Sequence, residues 1–308
     1  MKSSLRAEID VRYNYKSDEC LNNINIEIPF SNLSDMVTLI VKSIFNNSII
    51  IEAEVFYEEP KCGDEDLKFF KTKENMLNFY KKLLLYEFEV RINDLFIALQ
   101  IAQPARIDFL KIRLFQDEIE SKPLYYEKLI TPALASITIE SNNRVHTVDF
   151  LEVWNWLIKQ NDFWCEVPED KIGIFLNYFR YFHYDSSPLA FMWISMALES
   201  ILVTNNFQKS QLKGKLKVIL KEQYSEAEID RFVNSFYDLR SKIAHGKQRL
   251  FRPTLLHDAL STVGKVDKVF WENGEFGYVA LISCIHMMIR TNRSNLEFKE
   301  SIIYTLLD

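Results

Sequence analysis

The stretch SEAEIDRFVNSFYDLRSKIAHG, Ser225 to Gly246, reads as one helix with both ends marked. Ser225 and Glu228 have the spacing of a capping box, in which the cap hydroxyl accepts from the N3 amide and the glutamate reaches back to the cap's own amide. Ile229, Phe232, Val233, Phe236, Leu239 and Ile243 then recur at about 100° per residue, an apolar stripe that has to face a core. Gly246 stands where a helix stops in the left-handed conformation. His245 falls in the last turn, where exposed carbonyls and the negative dipole end favour an imidazolium. The same wheel places Arg240 inside the apolar stripe, four residues after Phe236.

A guanidinium stays charged at any ordinary pH, and burying it unpaired costs several kcal/mol, so Arg240 has to meet an anion or face a wet cleft. The apolar segment PLAFMWISMALESILV (Pro188 to Val203) supplies one candidate. Its Glu199 is the only charged residue between Asp185 and Lys209. Two lone charges on two otherwise apolar helices are expected to pair. Taken alone, that is a structural ion pair. With His245 the set becomes a fixed cation and a side chain that changes protonation near neutral pH. Those are the parts phosphodiester cleavage needs: charge neutralisation on the phosphate oxygens and proton transfer at the attacking and leaving oxygens.

Outward from this helix, apolar residues keep helical spacing through most of the second half. The segments are Asp149–Gln160, Lys171–Phe182, Pro188–Val203, Leu212–Gln223, Pro253–Phe270, Phe276–Arg290 and Leu296–Leu307. The first half is mixed. Leu5–Tyr15, Ile24–Phe30 and Ser48–Glu59 alternate as half-buried strands do. SNLSDMVTLIVKSIF (Ser31 to Phe45) offers Ser31 or Ser34 as a cap before a helix. Lys73–Tyr86 reads as a helix, and Glu87–Ala102 and Arg106–Gln116 as two strands separated at Pro104. The expectation is an α+β domain over 1–140 followed by an all-α domain over 146–308, divided at the polar stretch ESNNRVH (Glu140 to His146).

At Arg240, Ser241, Lys242, Ile243, Ala244 and His245 the chain resembles the HEPN superfamily of metal-independent ribonucleases, and within it the Apea-like group. The likeness spans about 60 residues, from ALES (Ala197 to Ser200) through the basic LKGKLKVIL to FYDLRSKIAHG. It implies an all-α HEPN helical bundle with Arg240 and His245 catalytic and Glu199 and Ser241 supporting. Lys242 and Lys247 would contact RNA. Many family members carry Asn, Asp or His after the arginine, where this chain has Ser241. The resemblance further implies a homodimer with two motifs facing each other, no cofactor and no metal, and RNA products ending in a 2′,3′-cyclic phosphate. Prokaryotic antiviral defence and toxin systems are its usual setting. The α+β domain then becomes a regulatory module taking an activating ligand or an antitoxin. Two alternatives stand beside this: a catalytically inactive HEPN scaffold that binds RNA or protein, and a toxin silenced by a partner nucleotidyltransferase.

Composition sets the frame for these readings. The 308 residues are 48% hydrophobic and 26% charged with a net charge of −6, ordinary for a folded domain. Between Lys209 and Arg252, however, eleven Lys or Arg face five Asp or Glu, so positive charge concentrates around the motif. Cys20, Cys62, Cys165 and Cys284 form no C-x-x-C pair, which argues against a disulfide framework or a zinc site. MKSSLRAEID lacks the apolar core of a signal peptide and no segment is long and apolar enough to span a bilayer. A soluble cytoplasmic protein without membrane partners is expected. His183, beside Asp185 and Pro188, and His286, in an apolar helix, read as structural. His146 and His257 have no companions at metal-ligand spacing, and Lys213, Lys215 and Lys217 are ambiguous between RNA contacts and a solvated face.

Overall fold

The protein is described by a computed structural model. It describes residues 1–13, 24–30, 36–44, 48–58, 63–123, 144–160, 163–164, 167–184, 190–204, 208–250 and 262–299. The chain divides into two compact units, Met1–Thr138 and Ile139–Asp308.

Among the described residues, the first unit is built on an antiparallel six-stranded sheet. Its strands are β1 (Lys2–Tyr13), β2 (Ile24–Pro29), β3 (Met36–Ile44), β4 (Ser48–Phe56), β5 (Ile107–Gln116) and β6 (Ile119–Ser121), in the order β2-β3-β4-β1-β5-β6. One face is apolar because alternate residues point to it: Leu5, Ala7, Ile9 and Val11 on β1, then Ile49, Ile51, Ala53 and Val55 on β4, are all buried. Asp117 and Glu118, both at positive φ, make the two-residue hairpin between β5 and β6.

Two expectations for this unit are corrected. The segment Ser31–Phe45 contains no helix among its described residues; it supplies β3, and Ser31 and Ser34 lie outside the described residues. Val37, Ile40, Val41 and Ile44 imitate helical spacing. The operative period is two: Val37, Leu39 and Val41 are buried, Ile40 stays 38% exposed, and the β-branched content favours a strand. Glu87–Ala102, read as a strand, is the second half of one 30-residue helix. After α1 (Asp64–Phe70), α2 runs from Lys73 to Ala102, with the Thr72 side chain accepting from the Asn75 amide at its start. Its end is where Pro104 predicts it. There Ala105 turns left-handed, and the Gln100 side chain donates to the Ile107 carbonyl at 2.6 Å, tying helix to β5.

The second unit is helical. Its elements are α3 (Phe150–Leu157), α4 (Lys171–Tyr184), α5 (Ala190–Leu202), α6 (Gln208–Ile219), α7 (Glu226–Ala244) and α8 (Thr262–Thr291). The two segments read as separate helices at Pro253–Phe270 and Phe276–Arg290 join in α8, which is continuous through Trp271–Glu275. Residues 253–261 lie outside the described residues. Gly277 lets α8 close on its neighbours: a Cβ there would stand 2.7 Å from both Ile194 on α5 and Phe236 on α7. At the far end Asn292 turns left-handed, and the Arg293 amide donates to the Met288 carbonyl at 2.9 Å. The helix expected from Leu296 does not form over Leu296–Lys299; its remainder lies outside the described residues.

Aromatic side chains of the helical unit divide between core and surface. Trp154, Phe163, Phe175, Phe179 and Phe182 are buried, while Tyr181 is half exposed and stacks on Trp193 at 5.0 Å.

Candidate functional site

Helix α7 forms as its sequence dictates. The Ser225 hydroxyl accepts from the Glu228 amide while the Ser225 amide donates to the Glu228 carboxylate at 2.8 Å, completing the capping box. Ile229, Val233, Phe236 and Leu239 are buried, with Phe232 and Ile243 at the margin of the stripe. Phe236 anchors the helix, its ring edge-on to Phe191 of α5 at 4.6 Å. At the other end the Gly246 amide donates to Ile243 and the Lys247 amide to Lys242 at 2.7 Å. Gly246 at φ +64° provides the left-handed residue that closes such a stop.

Between α5 and α7, the Arg240 guanidinium donates to a Glu199 carboxylate oxygen at 3.0 Å. The two side chains retain 27% and 15% exposure, so the pair is neither dry nor on the open surface. Among the described residues the contact is single: Glu199 Oε1 and Arg240 Nε are buried without a hydrogen-bond partner there. A one-point contact holds the guanidinium less firmly than a two-point fork does. The ring of Tyr237, three residues before Arg240, lies 5.9 Å below the guanidinium. Sequence reading passed over Tyr237, although i, i+3 spacing on a helix was the available signal.

The other residues around the motif separate from that pair. Ser241 is partly buried, and its carbonyl accepts the His245 amide at 3.1 Å. His245 is the helix cap and is exposed. Five helical residues put its Cα about 140° around and about 7.5 Å along from Arg240, so the two project in different directions from one helix. Lys242 is exposed and pairs with Asp238 at 2.6 Å; Lys247 is exposed.

The basic segment is partly neutralised within the fold. Lys213 meets Asp230 at 3.0 Å, and Lys217 meets Glu226 at 2.9 Å and Asp230 at 3.1 Å. Hydrogen bonds to Lys213 and Lys217 hold the Asp230 carboxyl below its usual range, against the opposing pull of desolvation. Lys215 is buried and donates to the Leu202 carbonyl at 2.7 Å, a fixed structural role.

No protein-family model, curated protein or solved structure matches this chain. His183 is buried, and burial pushes its imidazole down to about 3, so it is neutral near pH 7. His286 is buried in α8, and burial raises the Cys284 thiol well above its ordinary value, which leaves an inert hydrophobic thiol. His257, Asp185 and Pro188 lie outside the described residues. Among the described residues no group of three His, Cys, Asp or Glu side chains is arranged to hold a metal, and no helix is long and apolar enough to cross a membrane.

Proposed function

We propose that this chain is a HEPN-type endoribonuclease that cleaves RNA by attack of the substrate's own 2′-hydroxyl. One observation supports the reading above the others. Arg240 is held part-buried against Glu199 by a single hydrogen bond, on the helix whose capped end presents His245. A phosphate arriving there can compete for the guanidinium, because its oxygens accept the two-point fork that Glu199 leaves unused.

In this mechanism Arg240 neutralises charge growing on the non-bridging phosphate oxygens. A neutral His245 takes the proton of the 2′-hydroxyl, whose oxygen attacks phosphorus, and the bond to the 5′ oxygen breaks. A protonated His245 gives that oxygen its proton. The products are a 2′,3′-cyclic phosphate and a 5′-hydroxyl. One imidazole cannot hold both protonation states at once, and Arg240 and His245 diverge on one helix. A second copy of the chain resolves both problems by facing its own motif to the first across a homodimer. The sheet unit then serves as the regulatory module of an antiviral or toxin effector, taking an activating ligand or an antitoxin.

The test is RNA cleavage by the full chain in EDTA, compared with Arg240→Ala and His245→Ala proteins that keep the parent's circular dichroism and sedimentation. Each substitution is expected to lower the rate by at least about 10². Unchanged cleavage in both variants removes the site assignment. RNA binding without cleavage supports the non-catalytic scaffold instead, a reading favoured by the fact that Arg240 already has its carboxylate.

A further inference from the structure

Helix α7 carries a second cluster at Arg231 and Phe232, about two turns before Arg240, with Arg231 on the opposite side of the helix from Arg240. These residues line a cleft of about 370 Å³ in the helical unit together with Arg144, Tyr224 and residues of α8. Its floor is aromatic. The Phe232 and Phe276 rings lie nearly parallel, 14° apart with centroids at 5.0 Å, and Tyr224 stands edge-on to both at 5.6 Å. Two guanidinium groups lie over this floor: Arg144 is 4.4 Å from the Tyr224 ring centroid and Arg231 is 4.9 Å from that of Phe232.

The wall from α8 supplies acceptors. Glu272 and Glu275 are three residues apart and so share a helix face. Glu272 also approaches Lys268 at 3.6 Å and remains 57% exposed. Between them Asn273 is only 3% exposed; its amide nitrogen donates to the Val269 carbonyl at 2.8 Å, while its Oδ1 has no hydrogen-bond partner among the described residues. A buried acceptor left open at the wall of a cleft is a group that a ligand's N–H can satisfy.

The volume lies at the small end of ligand sites, enough for one flat ring system. Aromatic rings and guanidinium planes together bind the π-face of a nucleobase. The polar rim then selects which base. Carboxylates only accept, and guanine alone presents two donors side by side, N1–H and the N2 amino group, to match them. Its O6 and N7 accept from arginine, the commonest specific contact to that base. Adenine would turn its N1 lone pair toward the carboxylates, and cytosine its N3. We propose that this cleft binds a guanine base, presented either by an unpaired guanosine of an RNA strand or by a free guanine nucleotide. Binding here is independent of cleavage at Arg240.

Calorimetric titration of the full chain with GMP, IMP and AMP tests the base, and two oligoribonucleotides, all adenosine with or without one central guanosine, test its source. GMP is expected to bind at least about tenfold tighter than AMP, with IMP between them because it lacks the N2 amino group. Arg231→Ala, a surface change, is expected to weaken GMP about tenfold, to weaken AMP less, and to leave the melting temperature unchanged. Binding of GMP but not of the guanosine oligonucleotide upholds the site for a free nucleotide; the reverse upholds it for RNA. Equal affinity for GMP and AMP, or no saturable binding of either GMP or the guanosine oligonucleotide, overturns the proposal. The titrations contain no cleavage readout, so failure of the ribonuclease reading leaves them interpretable.

Discussion

From Arg91 to Ala102 every residue of α2 is buried, charged ones included, whereas α7 buries Ile229, Val233, Phe236 and Leu239 and leaves most of its circumference at least partly wet. The sequence of α7 therefore announces a helix, since one face meets a core and the other meets water. That of the second half of α2 does not, because a helical stretch covered all round carries no amphipathic stripe. Over Glu87–Asn93 it imitates a strand, with Phe88, Val90 and Ile92 alternating with polar residues. Those polar residues are buried instead, and the charge of Arg91 is met inside the helix: it donates to Asp94 at 2.9 Å and stands 3.6 Å from Glu87. Alternation of polarity reports exposure only where polar groups have no buried partner.

The sharpest way to break this comparison is to remove the charge partner inside α2. Arg91→Met leaves the Glu87 and Asp94 carboxylates buried without it, and is expected to destabilise the first unit by about 3–5 kcal/mol. Urea denaturation followed by circular dichroism measures it; a loss below about 1 kcal/mol means the buried charges are not what holds α2 in place. A smaller effect is expected where α8 supports α7. Gly277→Ala drives a methyl against Phe236 and Ile194 and should cost about 1–3 kcal/mol in calorimetry. The neighbouring Gly274→Ala is its control. A Cβ at Gly274 meets nothing, so that change should stabilise the helix by about 0.5–1 kcal/mol. A comparably small effect belongs to the stop of α7. Gly246→Ala also meets no atom, so its cost of about 1 kcal/mol is purely that of the left-handed backbone, and Gly246→Asn should recover part of it. If Gly246→Ala proves neutral, the stop is not held in that conformation in solution.

The candidate site was more legible than the sheet around which the first unit is built. The capping box at Ser225, the glycine stop and the pairing of Arg240 with Glu199 all follow from local chemistry or from the cost of burying a lone charge, and the geometry agrees with each. What local patterns could not separate was Met36–Ile44, where Val37, Ile40, Val41 and Ile44 satisfy a helical period and Val37, Leu39 and Val41 a strand period at once. The lysines of α6 were ambiguous for a similar reason. Only their position opposite Asp230 and Glu226 of α7 shows that Lys213 and Lys217 are occupied within the fold.

The cleft beneath Arg144 and Arg231 was invisible in the chain, because its residues come from three separated stretches and none forms a motif. By itself the sequence determined helix α7, its two ends and the demand that Arg240 find an anion, since caps, periodicity and the desolvation of a guanidinium act within a few residues or on one group alone. Tertiary structure alone decided that β3 is a strand, that α2 continues through its charged stretch and that Asn273 keeps an open acceptor beside an aromatic floor. Those outcomes depend on which surfaces meet across long separations in the chain, and burial supplies free energy that local propensity cannot report.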